Sequence, residues 1–377
     1  MPAWDVHFGL VVDIDDRELI EDLAKVASLS GMLREIPIPV SLQEQLHRLN
    51  IVRAVRGTTG IEGIEFSEEE VMDVLASDGG SRVLSATRRR EEREVRNANE
   101  MMGVVENALQ EDPDLRLTDE LIRGFHRILT SGVEYEYNAP GMYRSQDVQV
   151  STYQPPSHVE VPRMMSEFIR WLEDDRGGSL DPVVRALVAH FLLVSIHPFG
   201  DGNGRTSRGV ESFLLYKAGV NIRGFYSLAN YYYQHRDEYV RLLDHVRFVS
   251  DPDVTPFVRF ALRGLTAELE QMHSECMSQL TIVSFREHAR EKMSSRGRIM
   301  SSAGQRQYMF LMELGEERVA MDALLSGGHP AARFYSNVSP RTVYRDVDRL
   351  GAMDLIVVED GMIRAKTEVL NRFTTPS

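Results

Sequence analysis

Between His197 and Arg208 the chain reads HPFGDGNGRTSR, and most of these residues have a chemical use. Gly200, Gly202 and Gly204 alternate, so the backbone can turn several N–H groups toward one point, and the helix that follows adds its positive N-terminal end. That combination builds an anion site. Arg205 and Arg208 lie three apart on the first turn of this helix, so two forked guanidiniums can face one anion. Two cations on one loop suggest a polyphosphate. Asp201 places a carboxylate among the glycines, a hard oxygen ligand suited to Mg²⁺. Asn203 can donate an amide hydrogen bond to the phosphoryl group under attack. His197 is the loop residue whose ordinary pKa lets it take a proton near neutral pH, as a base activating a hydroxyl must. His190, seven residues earlier, could share its helix face, but without a third ligand at suitable spacing it reads as core packing.

Helices must carry this loop. The segment PVVRALVAHFLLVSI runs into it and RTSRGVESFLLYKAG runs out, while SLQEQLHRLNIVRAV, SEEEVMDVLAS, RRREEREVRNANEMMGVVENAL, TDELIRGFHRIL and PRMMSEFIRWLEDD repeat apolar residues at three- and four-residue intervals. Ser67 and Thr118, each followed by acidic residues, read as N-caps. In RRREEREVR acids and bases interleave at helical spacing, which reads as a solvated, salt-bridged face. The exception to the helical pattern is 140–162, where Gly, Pro and alternating Val148, Val150 and Tyr153 predict a turn and a short extended element. A Ser/Gly-rich junction is expected near 295–305, and LIVVEDGMIRA reads as strand, Asp-Gly turn, strand.

HPFGDGNGRTSR resembles the Fic-domain signature, His-x-Phe-x-Asp/Glu-Gly-Asn-Gly-Arg-x-x-Arg, at every specified position. The resemblance implies transfer of AMP from ATP, with Mg²⁺, to a hydroxyl side chain of a target protein, releasing pyrophosphate. By position it implies His197 as base, Phe199 as the loop's anchor and Asp201 as the metal ligand. Gly202, Asn203 and Gly204 become contacts around the α-phosphate, and Arg205 and Arg208 contacts to the β- and γ-phosphates. Upstream, Thr58-x-x-x-Glu62-Gly63 resembles the family's inhibitory motif. A carboxylate beside Arg208 would form a forked ion pair and place negative charge where the triphosphate must lie. Glu62 also opens a hydrolytic alternative, removal of AMP from a modified protein. Residues 139–156 resemble the family's β-hairpin flap, with Val148, Gln149 and Val150 in the strand that docks the target. The resemblance also implies that one or more of Tyr231, Tyr232, Tyr233 and Tyr239 line the adenine pocket, with Tyr232 or Tyr239 the candidates and Asn230 nearby.

Residues 300–377 read as a winged helix. Ser339 caps a helix with Pro340 at its first position, Val343, Val347 and Leu350 form the buried stripe, and Arg341, Arg345 and Arg349 recur every four residues on another face. A recognition helix presents cations to a DNA groove in this way, with the strand–turn–strand as the wing. The segment nevertheless holds nine Lys/Arg against ten Asp/Glu. DNA binding and protein contact or homodimerisation both stay open.

The whole chain has 377 residues, 43 Lys+Arg, 57 Asp+Glu, a net charge of -14 and one cysteine. Global charge repels polyanions, so phosphate must be held by a local exception. One thiol closes no internal disulfide, and neither an export signal nor a membrane span is apparent, which predicts a cytoplasmic protein. The expected architecture is mainly α, a helical Fic fold with a short hairpin flap and a C-terminal winged helix. The expected divisions are 1–80 (N-terminal, inhibitory), 81–265 (catalytic), 266–299 (helical linker) and 300–377. Three functions compete: AMP transfer, transfer from another phosphate-bearing donor, and a DNA-binding regulator that senses nucleotide.

Overall fold

The computed structural model describes residues 8–77, 85–133, 138–220, 228–248, 252–294 and 301–367. The expected junction at 295–305 and the extreme N-terminus fall partly outside these ranges. The chain separates into two compact units, Met1–His273 and Ser274–Ser377.

The first unit is helical. It contains α1 (Arg17–Glu35), α2 (Val40–Ile61), α3 (Glu68–Ala76), α4 (Ala86–Glu111), α5 (Asp119–Leu129), α6 (Val161–Glu173), the single turn α7 (Asp175–Gly178), α8 (Pro182–Ile196), α9 (Asn203–Lys217), α10 (Leu228–Gln234) and α11 (Arg236–Phe248). The long α12 (Thr255–Ser294) begins in this unit and ends in the next. Helix α8 lies at the centre because its sequence permits nothing else: every residue from Val183 to Ile196 except Arg185 is buried, so the helix has no polar stripe to turn outward. Asp181 starts it by accepting the Val183 N–H, with Pro182 at the first position. Side-chain caps also start the outer helices: Ser67 and Glu70 form a reciprocal capping box on α3, and the Thr118 hydroxyl accepts from Leu121 N–H on α5.

Two close approaches fix α2 against α10. A Cβ on Gly57 would meet the Ala229–Asn230 backbone at 2.6 Å, and one on Gly60 would enter the Tyr233 ring. Larger residues there would push the end of α2 away from the loop that it faces.

The second unit holds α13 (Ser302–Leu314), α14 (Met321–Ser326), α15 (Pro340–Ala352) and a three-stranded antiparallel sheet, β1 (Val319–Ala320), β2 (Ile356–Glu359) and β3 (Met362–Ala365), in the order β1-β3-β2. Asp360 and Gly361 both take positive φ, 51° and 75°, which gives the two-residue turn whose twist matches the β2–β3 hairpin. Its core gathers Phe310, Leu311, Leu314, Val343, Val347, Leu350, Ile356 and Ile363. Asp346, fully buried on α15, accepts from Arg306 and Gln307 of α13 at 2.7 Å each, which locks the two helices in register.

Candidate active site

Helix α8 ends at His197 in the left-handed conformation, φ 52°, an uncommon state for a residue with a side chain. The backbone therefore turns sharply out of α8. Gly202 repeats the left-handed turn at φ 74° and caps α9. Between them Phe199 is fully buried and lies flat on the His126 ring of α5, centroids 3.7 Å apart. The loop is pinned to the core through that ring.

Asn203 braces the loop with its amide oxygen and one of its two N–H donors. Its Oδ1 accepts the Phe199 N–H at 2.8 Å and its Nδ2 donates to the Phe199 carbonyl at 2.9 Å, so both amide groups close the loop on itself. The expected phosphate donor thus also gives the loop its shape. Its second N–H, the backbone amides and the arginines remain to meet an anion.

Arg208 is 3% exposed and its guanidinium is fully committed on one side. Nε donates to Thr58 Oγ1 at 2.8 Å, while Nη2 donates to the Thr58 carbonyl at 2.9 Å and to Glu62 Oε1 at 2.7 Å. Glu62 caps the C-terminus of α2 with a side chain about one third exposed, 34%. Burial would raise its carboxyl, yet Arg208 and Arg205 together hold it below the ordinary range, so it is ionised near neutral pH. Gly204 makes the approach possible, because a Cβ there would collide with Glu62 Oε1.

Arg205 is also buried, donating to Glu94 Oε2 at 2.6 Å and lying 3.6 Å from Asp201 Oδ1. Glu94 belongs to the charged run that reads as a solvated face, and it is only 4% exposed. The correction has a simple cause: α4 packs on α9, and Glu94 falls on the contact side while Arg88, Glu91 and Arg93 stay at or near the surface.

His197 is half-buried. Its Nδ1 lies 3.4 Å from the Val194 carbonyl, which favours the tautomer with the proton on Nδ1 and the lone pair on Nε2. Burial, then the nearby Arg247, lowers its pKa to about 4, so the ring is a neutral proton acceptor at pH 7. Asp201 is 41% exposed in its side chain. Burial, assisted by Glu62 and Glu94, raises its carboxyl against the pull of Arg205. A carboxylate held in that state would gain from a divalent cation. Among the described residues no group of three or more His, Cys, Asp or Glu could hold a metal, so a cation at Asp201 needs phosphate oxygens to complete its shell. That pattern fits Mg²⁺, which is commonly held by one or two carboxylates plus phosphate and water.

Two residues with no prior signal tie the 138–157 segment to the loop. Arg144, 4% exposed, donates from Nε to the His197 carbonyl at 2.9 Å, from its backbone N–H to Pro198 O at 3.0 Å, and from its other nitrogens to Gln146 O and Pro156 O. His126 Nδ1 accepts the Gly141 N–H at 2.9 Å, so Nε2 carries the proton that it gives to the Asp201 carbonyl at 3.0 Å. Neither was legible: Arg144 is buried among backbone carbonyls, with Asp147 3.6 Å away, and follows no periodicity, and His126 sits on the apolar face of α5. The segment itself differs from expectation. In place of a ladder over Val148, Gln149 and Val150 there is one bridge, Val150 to Tyr153, closed by hydrogen bonds of 2.9 and 2.8 Å. Tyr153 is drawn under by its hydroxyl, which donates to Ser195 O at 2.7 Å, and the Gln149 and Gln154 side chains satisfy backbone carbonyls in place of a strand.

The aromatic cluster also differs. Tyr232 and Tyr239 are buried beneath Arg208, Tyr232 donating to Glu211 at 2.8 Å and Tyr239 bonded to His190 Nε2 at 2.9 Å. Asn230 is spent on Glu268 at 2.8 Å. These are core contacts, as is His190, while Tyr231 and Tyr233 are half-buried.

Residues 116–215 match the Fic/DOC family. Protein adenylyltransferase Fic of Nematostella vectensis is 34% identical over 176 residues, 46% of this chain and 38% of that protein. Protein adenylyltransferase Fic of Drosophila yakuba is 38% identical over 120 residues, 32% of this chain and 22% of that protein. The chain thus spans well under half the length of these curated relatives. Among solved structures, a Fic family protein from Desulfovibrio desulfuricans G20 superposes with a TM-score of 0.55 at 20% identity, covering 93% of this chain and 96% of that one. Fic-1 from C. elegans gives 0.57 at 22% identity, covering 69% and 73%. The fold is that of these Fic structures. No helix among the described residues is long and apolar enough to cross a membrane.

Proposed function

We propose that the protein transfers AMP from ATP to a Ser, Thr or Tyr hydroxyl of a target protein or of itself, and that Glu62 restrains the reaction. The observation that carries this reading is the Arg208 fork. A buried arginine at the motif's last position is held by Thr58 and Glu62, at the C-terminal end of α2.

His197 Nε2 takes the proton of the attacking hydroxyl. The hydroxyl oxygen bonds to the α-phosphorus, the bond from that phosphorus to the bridging oxygen breaks, and pyrophosphate leaves with the electron pair. Loop amides shaped by Asn203 face the α-phosphate, while Arg205 and Arg208 serve the departing phosphates. Asp201 would hold the Mg²⁺ that accompanies ATP, an ion that offsets charge on the leaving pyrophosphate. With Arg208 on Glu62 the γ-phosphate loses its donor and meets a carboxylate, so ATP settles in an unproductive pose.

The exposed third of Glu62 favours a second reading for the same site, in which its ionised carboxylate orients a water that releases AMP from a modified protein. Incubation of the native protein and Glu62→Gly with ATP labelled at the α- or γ-phosphate tests for transfer, and loss of label from a protein already carrying labelled AMP tests for removal. AMP transfer puts α-label and no γ-label on protein. Absence of both labels even on a Glu62→Gly protein that binds ATP favours another donor or a nucleotide sensor.

The second unit supports a winged-helix reading, with α15 as recognition helix and β2–β3 as wing. Arg341, Arg345 and Arg349 are all exposed on α15, while Val343, Val347 and Leu350 are buried. Retention on duplex DNA that weakens with salt and is lost in the Arg341→Gln/Arg345→Gln/Arg349→Gln variant tests DNA contact, and unchanged retention assigns that face to protein.

A further inference from the structure

At the end of the α8–α9 pair away from the motif lies a cavity of about 370 Å³, lined by Arg116, Leu117, Leu172, Glu173, Pro182, Arg185, Leu214, Lys217 and Ala218. None of these residues belongs to the His197–Arg208 loop. Helix α8 runs from the cavity at Pro182 to Ile196, about 20 Å at 1.5 Å per residue, so the two sites are well separated.

Three cations and one carboxylate meet here, a local excess of positive charge in a chain of net charge -14. The cations are poorly neutralised. Lys217 Nζ donates to two carbonyls, Leu115 at 2.7 Å and Asp114 at 3.4 Å, which orient the ammonium without cancelling its charge. Arg116 reaches Glu173 at 3.4 Å, with both side chains more than half exposed, a pair worth little in water. Arg185, half-buried in the second turn of α8, has no side-chain hydrogen bond or ion pair among the described residues. Leu117, Leu172, Pro182 and Leu214 supply an apolar floor beside these donors. A concave apolar surface with a few convergent charges is the usual form of a small-molecule site.

We propose that this cavity binds a small organic anion, a carboxylate or phosphate monoester on a compact apolar body, with Arg185 and Lys217 holding the head group. The site is independent of the transferase reading.

Isothermal titration of the full chain at low salt, with phenyl phosphate, benzoate and neutral benzyl alcohol, tests it. One anion or both should bind at one site, the tighter of the two identifying the head group, and benzyl alcohol should bind at least tenfold more weakly. Arg185→Gln should weaken the anion about tenfold, the worth of one charge-assisted hydrogen bond. Glu173→Gln should tighten it, a gain that misfolding cannot produce. Arg208→Ala should leave binding unchanged. Binding of neither anion, equal binding of benzyl alcohol, indifference to Arg185→Gln, or loss in Arg208→Ala, which would place the anion on the motif loop, each overturns the proposal.

Discussion

Arg205 and Arg208 lie three apart on one helix, yet they have different fates. Arg208 faces a carboxylate that solvent can reach, whereas Arg205 faces Glu94 in a dry contact, 2% and 5% exposed. A buried pair broken on one side leaves a charge without a partner, so Glu94→Ala should cost about 3–5 kcal/mol, read by urea unfolding. Two histidines give a second residue-level outcome. Burial lowers both His126 and His197 to about 4 from an unfolded value of 6.5. Between those values the unfolded chain binds more protons than the folded one. Their contribution is therefore fully present above about pH 6.5 and is lost as pH falls toward 4, so Tm by calorimetry should drop across that window. His126→Gln should remove part of the drop. The motif's residue types and spacing were legible because a loop this rich in Gly, Asp, His and Arg has few uses. The bracing role of Asn203 was not legible because an amide can serve a ligand, its own backbone or both, and sequence does not say which.

At the scale of elements, the geometry of α8, the loop and α9 depends on the segment before them. Arg144 and His126 connect that segment to His197, Pro198 and Asp201 through hydrogen bonds to backbone, which any sequence at those positions would supply. Helix periodicity located α2, α4, α5, α6 and α8 but gave no view of such bonds. For the same reason the flap appeared longer than it is: alternation of Val148 and Val150 fits a strand, while the Tyr153 hydroxyl, buried against Ser195, decides where pairing stops. Arg144→Ala should lower kcat toward a protein target at least tenfold and leave ATP affinity within about twofold, because the clamp touches the base's backbone and spares the phosphate donors. Parallel steady-state kinetics and ATP titration check this split.

Across the whole molecule, net charge is strongly negative, yet Arg205 and Arg208 stand together after the motif's glycines. Against Arg208 sits an acid, Glu62, at the end of a helix more than 130 residues earlier in the chain. The most direct measurement is transfer of α-label from Mg²⁺·ATP by the native protein, Glu62→Gly, and Glu62→Gly combined with His197→Ala. Freeing Arg208 from one charge-assisted hydrogen bond and one misplaced carboxylate should raise transfer about ten- to a hundredfold in Glu62→Gly. The double variant should fall to background. Equal transfer by the native protein and Glu62→Gly, or transfer that survives loss of His197, would contradict the account.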